Sequence, residues 1–368
     1  MKFSCDRAAL VAAIGNVSRA VSSKSSLPAL EGILLRADDG ELTLSGYNLE
    51  LGIWTVLTAN IAEPGSVVLG AKFFGDICRR LPGDMVTVEV DEKSVATIKS
   101  GKAEFSLIGI PGEEFPELPS LREGNHFTIE RELLRSMIRQ TLFAVGVGEV
   151  RPIWTGTLFE MKENRIRLVS VDGYRLALRE EAVRGGNEGN FIVPGKTLGE
   201  LEKFLVEGEE DVQLVAGKKH VLFEIGDYTI ISRLIEGEFV DYASAIPQTE
   251  KTVVKARVAE LIESVERASV LISERLRSPI RLAVRDDGIR VSCITAQGKV
   301  FDEVSFLEKT GEDVEICFNN KYLLDALRAV ESDEVRLTFS GNVAPLKVQP
   351  VEGDSFIFVV VPVAPKGR

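Results

Sequence analysis

Histidine is almost missing from this chain. Only His126 and His220 occur in 368 residues, neither near a nucleophile motif, so acid–base or metal chemistry built on imidazole is poorly supplied. Cysteine is scarce too. Cys5, Cys78, Cys293 and Cys317 stand far apart without paired spacing, which excludes a disulfide framework or zinc site and predicts buried, reduced thiols. Aromatics make up 7% of the residues, proline is sparse, and no segment is compositionally biased, so little disorder is expected. The longest apolar run, Phe356 to Val363, is far too short to span a bilayer. The opening MKFSCDRAAL carries charge almost at once and lacks a signal-peptide core. These absences predict a cytoplasmic protein with no membrane partner. Catalytic motifs are also lacking: there is no GxGxxG, GxSxG or HExxH. Paired acids such as Glu113-Glu114, Glu209-Glu210 and Asp286-Asp287 sit in turn-like contexts and read as solvated loop carboxylates. No catalytic residue, cofactor or metal is expected, and the chain does not read as an enzyme.

What is present is a repeat. Proline-marked strand starts at Leu27-Pro28, Arg151-Pro152 and Ser278-Pro279 are 124 and 127 residues apart. Each follows, by 25 residues, an apolar strand opener: Phe3, Phe127 and Val254. Helical patterns fill the interval at Asp6 to Ala20, Arg131 to Phe143 and Ala256 to Ser269. A second landmark keeps the register. Lys72, Lys196 and Lys321, separated by 124 and 125 residues, open KFFGDICRRL, KTLGELEKFL and KYLLDALRAV. An alternating strand follows each: MVTVEV, VQLV and VRLTF. Each copy reads as two similar halves of strand, helix and strands. ILLRADDGELTLSG, LFEMKENRIRLVS and LAVRDDGIRVSC are hairpins around DDG, KEN and DDG turns. A unit of about 125 residues is a whole domain with its own core rather than a solenoid repeat. The expected domains are 1–122, 123–249 and 250–368.

Gly195-Lys196-Thr197 resembles the end of a phosphate-binding loop, but the pattern needs a glycine where Asn190 stands. Lys196 moreover coincides with Lys72 and Lys321, which have no glycine-rich loop, so it belongs to the repeated helix start. The net charge of −12 argues at first sight against a nucleic-acid partner. Binding responds to the local field, however. The six helical segments carry formal charges of +1, +2, +2, 0, −1 and +1 in chain order, so the acidity lies elsewhere. Were all six to face one cavity, Arg19, Lys24, Arg79, Arg80, Arg135, Arg139, Lys196, Lys203, Lys321 and Arg328 are the candidate phosphate neighbours.

Several blocks together resemble the beta subunit of bacterial DNA polymerase III, the sliding-clamp family. They are MKFSCDRAAL, Leu27-Pro-Ala-Leu30, LTLSGYNLELG, KFFGDICRRLP, Ser170-Val-Asp-Gly-Tyr-Arg-Leu-Ala177, Phe239 to Tyr242 and Val359 to Val363. The resemblance covers the whole chain. It implies an α+β fold of three clamp domains, with helices lining a central hole and antiparallel sheets outside, closed as a ring by a head-to-tail homodimer. It implies double-stranded DNA threaded without sequence preference. It also implies docking of the polymerase III catalytic subunit, a clamp loader, and other polymerases and repair proteins through a peptide pocket. Carried over position by position, that pocket comprises Trp154, Val171, Gly173, Tyr174, Arg175, Leu176, Val240, Ile246, Val343, Pro345, Val359, Val361, Pro362 and Val363. Gly173-Tyr174-Arg175 reads as recognition rather than core, since Tyr and Arg favour binding hot spots. The dimer seam would hold Lys72, Phe105, Val270 and Leu271. The stretch from Gly148 to Ile153, and the loop carrying Lys24, correspond to DNA contacts. Two departures touch the pocket: Ala364 stands where the family usually has a charged residue, and valines replace methionines common among relatives.

Overall fold

The computed structural model describes residues 1–121, 123–148, 151–183, 188–206, 208–272 and 278–364. Six α-helices lie among them: α1 (Arg7–Val17), α2 (Ala71–Arg80), α3 (Arg131–Leu142), α4 (Gly195–Phe204), α5 (Val258–Ser269) and α6 (Asn320–Arg328). Each falls within two or three residues of its expected place. Local chemistry sets their starts. Asp6 caps α1 by accepting the Ala9 N–H at 2.8 Å, and Asn319 caps α6 by accepting from Lys321 and Tyr322 at 2.9 and 3.4 Å. Each helix also buries one face. On α6, Leu323, Leu324, Ala326 and Leu327 are buried, whereas Lys321 and Arg328 are exposed.

The chain forms two compact units, Met1–Arg131 with Lys203–Leu234, and Glu132–Glu202 with Ile235–Arg368. In the first, α1 packs on α2 beside a five-stranded sheet ordered Asn60–Glu63, Lys2–Asp6, Met85–Val90, Val95–Ser100, Ala103–Ile108. A nine-stranded antiparallel sheet completes this unit. At its centre Leu51–Thr58 of the first repeat pairs with Tyr228–Arg233 of the second. The second unit repeats the scheme. Here α5 packs on α6 beside a four-stranded sheet, and in its nine-stranded sheet Arg175–Ala182 of the second repeat pairs with Phe356–Val360 of the third. The middle repeat therefore contributes one half to each unit.

Two details of the hairpins are physical. Asp39 and Gly40 have φ of 44° and 82°, and Glu163 and Asn164 have 52° and 60°. Positive φ at both central residues gives the primed turns that match strand twist. The prolines differ from expectation. Pro28 and Pro152 open 3₁₀ turns, Pro28–Glu31 and Pro152–Thr155, and the strands begin after them at Gly32 and Gly156. A ring-locked φ without an N–H suits the first position of a helical turn better than a strand.

Gly32 and Gly156, one repeat apart, sit where strands approach closely. A Cβ on Gly32 would lie 2.5 Å from Val68 Cγ1 and 2.8 Å from the Leu69 carbonyl oxygen; on Gly156 it would lie 2.7 Å from that of Val193. We expect Gly32→Ala to destabilise the protein by about 2 kcal/mol, because backbone must move. Urea denaturation measures this, and an unchanged midpoint would show that the strands separate freely. All four cysteines are buried free thiols, and burial pushes Cys5 and Cys78 up to about 12. No described helix is long and apolar enough to cross a membrane.

Candidate functional site

The strand Arg165–Val171 returns as Arg175–Ala182 through Asp172, Gly173 and Tyr174. Asp172 shapes this turn. Its Oδ1 accepts the backbone N–H of Tyr174 at 2.9 Å and of Arg175 at 3.0 Å, and its Oδ2 accepts from Arg175 Nε at 2.9 Å. Gly173 has φ of +86°, and a Cβ there would meet the Trp154 ring at 3.0 Å, so two constraints select glycine. The turn leaves Tyr174 57% exposed, stacked on Tyr322 with centroids 5.7 Å apart. Arg175 turns inward. It is 8% exposed, donates to Asp325 Oδ2 at 2.5 Å, and lies 4.6 Å over the Tyr322 ring. Its charge is thus engaged inside the protein.

The other pocket candidates fall into two adjoining groups. Trp154 and Ile246 pack, half-buried, on the buried Val171, Leu176 and Val359, together with Phe239 and Tyr242. Tyr242 is fixed there by its hydroxyl, which donates to Glu160 at 2.8 Å and accepts from Arg167 at 2.9 Å. Val240 lies exposed nearby in sequence, and Pro345 is half-buried just before the strand Leu346–Gln349. Past the strand Phe356–Val360, Val361 donates its N–H to the Tyr174 carbonyl at 2.9 Å and Val363 to that of Cys317 at 2.8 Å. Val343, Pro362 and Val363 then line a cleft of about 420 Å³ with Arg281, Glu315 and Cys317. Arg151 stacks over Trp154 at 4.2 Å.

The same loop recurs one repeat earlier. Asn48 Oδ1 accepts the backbone N–H of Glu50 at 3.0 Å and of Leu51 at 2.8 Å, Leu49 has φ of +73°, and the backbone N–H of Arg233 donates to the Glu50 carbonyl at 2.8 Å. Backbone geometry is therefore shared by the two repeats. Only the second supplies glycine, tyrosine and arginine.

Among the basic candidates, Arg19, Lys24, Arg79, Arg80 and Lys203 belong to the first unit, and Arg135, Arg139, Lys196, Lys321 and Arg328 to the second. Five of the arginines meet a carboxylate: Arg79 and Arg80 share Asp76 at 2.8 and 3.5 Å, and Arg135 meets Glu132 at 3.3 Å. Arg139 lies 3.8 Å from Glu202 and 3.9 Å from Glu331, and Arg328 is 2.6 Å from Glu266. Lys24, Lys196 and Lys321 are exposed with no carboxylate partner among the described residues. In the stretch 148–153, residues 149 and 150 lie outside the described residues.

The seam candidates border two open sheet edges. Phe105 lies on Ala103–Ile108, the last strand of the five-stranded sheet; Ile108 on that strand is 82% exposed, and Phe73 on α2, next to Lys72, is 65% exposed. In the second unit Gly298–Val304 is the last strand of the four-stranded sheet and carries the exposed Phe301. Ile294 on the neighbouring strand and Val270 at the end of α5 are exposed too, and Leu271 lies against Gly298. Phe73, Ile108, Ile294 and Phe301 did not stand out in the sequence, because neither helical spacing nor strand alternation says which apolar positions meet solvent. Nor did Tyr322 and Asp325, which only folding brings to Arg175. Asp172, two residues before Tyr174, was the available turn signal.

Among the described residues, no three or more His, Cys, Asp or Glu side chains are placed to hold a metal. The architecture is that of a three-domain clamp of the α+β class, with antiparallel sheets and few helices. Models of the DNA polymerase III beta subunit match in succession: N-terminal domain at residues 1–119, central domain at 128–241, C-terminal domain at 243–364. The beta sliding clamps of Bacillus subtilis and Halalkalibacterium halodurans are 33% and 34% identical, each match covering 99% of both chains. A crystal structure of the DNA polymerase sliding clamp from Bacillus subtilis has a TM-score of 0.97 at 33% identity over 100% of both chains. The Pseudomonas aeruginosa sliding clamp bound to griselimycin has 0.94 at 30% over 99% of both. The chain belongs to the DNA polymerase III beta-subunit family.

Proposed function

We propose that this protein is a DNA sliding clamp, a processivity factor without chemistry of its own that works in the cytoplasm. Two copies close head to tail into a ring of six modules, each chain supplying 1–122, 123–249 and 250–368. The observation that carries closure is the pair of outermost strands, one in each unit, each with one open edge and exposed apolar side chains on or beside it. An exposed hydrophobic edge invites pairing with another chain. Two different edges on one chain give a head-to-tail contact, which makes a ring when the rotation closes. In that ring the basic helical residues face a duplex and touch phosphates without reading bases. Arginines already held by carboxylates exchange one partner for another, so each contact is weak and the ring slides.

Tyr174, the apolar wall around Trp154 and the cleft at Val343 and Pro362 form the docking surface for short peptides. The polymerase III catalytic subunit, the clamp loader, and other polymerases and repair proteins dock there. Apolar walls with few polar anchors suit such a site. A tethered polymerase meets the primer end at high effective concentration. Light scattering should return twice the chain mass of 40.3 kDa. A monomer at micromolar concentration would overturn closure and leave a peptide-binding scaffold.

A further inference from the structure

We infer that Asp325 is a positioning residue for peptide recognition: through its ion pair with Arg175 it holds the Asp172–Arg175 loop, and with it Tyr174, in the conformation a partner's peptide meets. The inference rests on the peptide-site reading above.

Arg175 has two carboxylate partners of different kinds. Asp172 belongs to the same turn, so that pair fixes the loop only to itself. Asp325 lies on α6, 150 residues away, and ties the loop to a separate element. The side chains of Arg175, Asp172 and Asp325 are 7%, 11% and 23% exposed, so solvent and salt screen these charges little. Charge-assisted hydrogen bonds of this geometry are among the strong ones. Tyr322, one turn before Asp325, completes the support, because the Arg175 guanidinium and the Tyr174 ring both stack on it. The earlier repeat supplies the contrast. There the loop has the same backbone bonds, but Leu51 stands at the place of Arg175 and forms no ion pair. Asx-type bonding is enough to shape the backbone; Asp325 and Tyr322 fix where the recognition side chains stand.

The test is calorimetric titration with a synthetic peptide from the polymerase catalytic subunit, chosen for binding to the unsubstituted protein. Asp325→Asn keeps the side-chain shape and removes the charge. We expect affinity to fall about tenfold, as a roughly tenfold drop in the population of the binding-competent loop would give. In a Tyr174→Ala background the same substitution should change affinity less than twofold, since the ring it positions is gone. Asp325→Glu should recover part of the loss. Asp287→Asn, in an exposed pair with Arg290, should leave affinity unchanged. Unaltered affinity in Asp325→Asn, or an equal loss in both backgrounds, overturns the inference. If Asp325→Asn loses its cooperative thermal transition, Tyr322→Leu replaces it in the same cycle, with the same two results overturning the claim. A protein that binds no polymerase peptide at all sinks the site reading itself, an outcome distinct from tight binding that ignores Asp325.

Discussion

Loaded onto a nicked circular duplex, the protein should stay bound through gel filtration, and cutting the circle should release it. Each of Arg79, Arg80, Arg135, Arg139 and Arg328 already has a carboxylate within 4 Å, so a phosphate contact replaces an existing one. Exposed pairs of this kind are worth about 0–1 kcal/mol, and the exchange gains less still. A net charge of −12 repels DNA at longer range. With Lys24, Lys196 and Lys321 the only candidates seen exposed without a carboxylate among the described residues, ordinary binding should be weak at moderate salt, and threading should supply most of the retention. Retention on the circle should exceed that on the linear form by on the order of a hundredfold, the scale on which linkage outstrips intrinsic affinity. Equal retention on both forms would mean that the protein grips DNA instead of encircling it.

A carboxylate placed on the exposed edge strand should break the ring. Ile108→Asp is the sharpest choice, because Ile108 is 82% exposed and its loss leaves the monomer core intact. In the dimer a charge there would be desolvated without a partner, costing about 3–5 kcal/mol by the standard of broken buried pairs. That corresponds to a dissociation constant raised by about two to four orders of magnitude. Sedimentation equilibrium should show monomers where the unsubstituted protein is dimeric, with the thermal midpoint barely changed. Phe301→Asp tests the facing edge in the same way. If both variants stay dimeric, the seam lies elsewhere, whatever the ring's other properties.

Much of the fold could be read from local chemistry. Asp6 and Asn319 announce helix starts, Asp39-Gly40 and Glu163-Asn164 announce hairpins, and apolar spacing places all six helices. Pairing between repeats could not be read in that way. Leu51–Thr58 finds Tyr228–Arg233 through backbone groups common to every residue, across a long stretch of chain, and only tertiary packing selects the register. The same limit applied to the site. Gly173 and Tyr174 carry their roles in their residue types. Arg175 read as a recognition residue rather than core, and folding places it inward against Asp325 and Tyr322. The exposed hydrophobics beside the two open sheet edges look like core residues in the sequence, since an apolar face is defined by what covers it.

The duplicated turn at Asn48 and Asp172 bears on inhibitor design. A small molecule shaped to the backbone of that turn alone would face two decoys in every complete ring, because the first repeat displays the same hydrogen-bonding contour. Selectivity has to come from the indole beneath Gly173 and the phenol of Tyr174, where the earlier copy offers only Leu49 and Glu50.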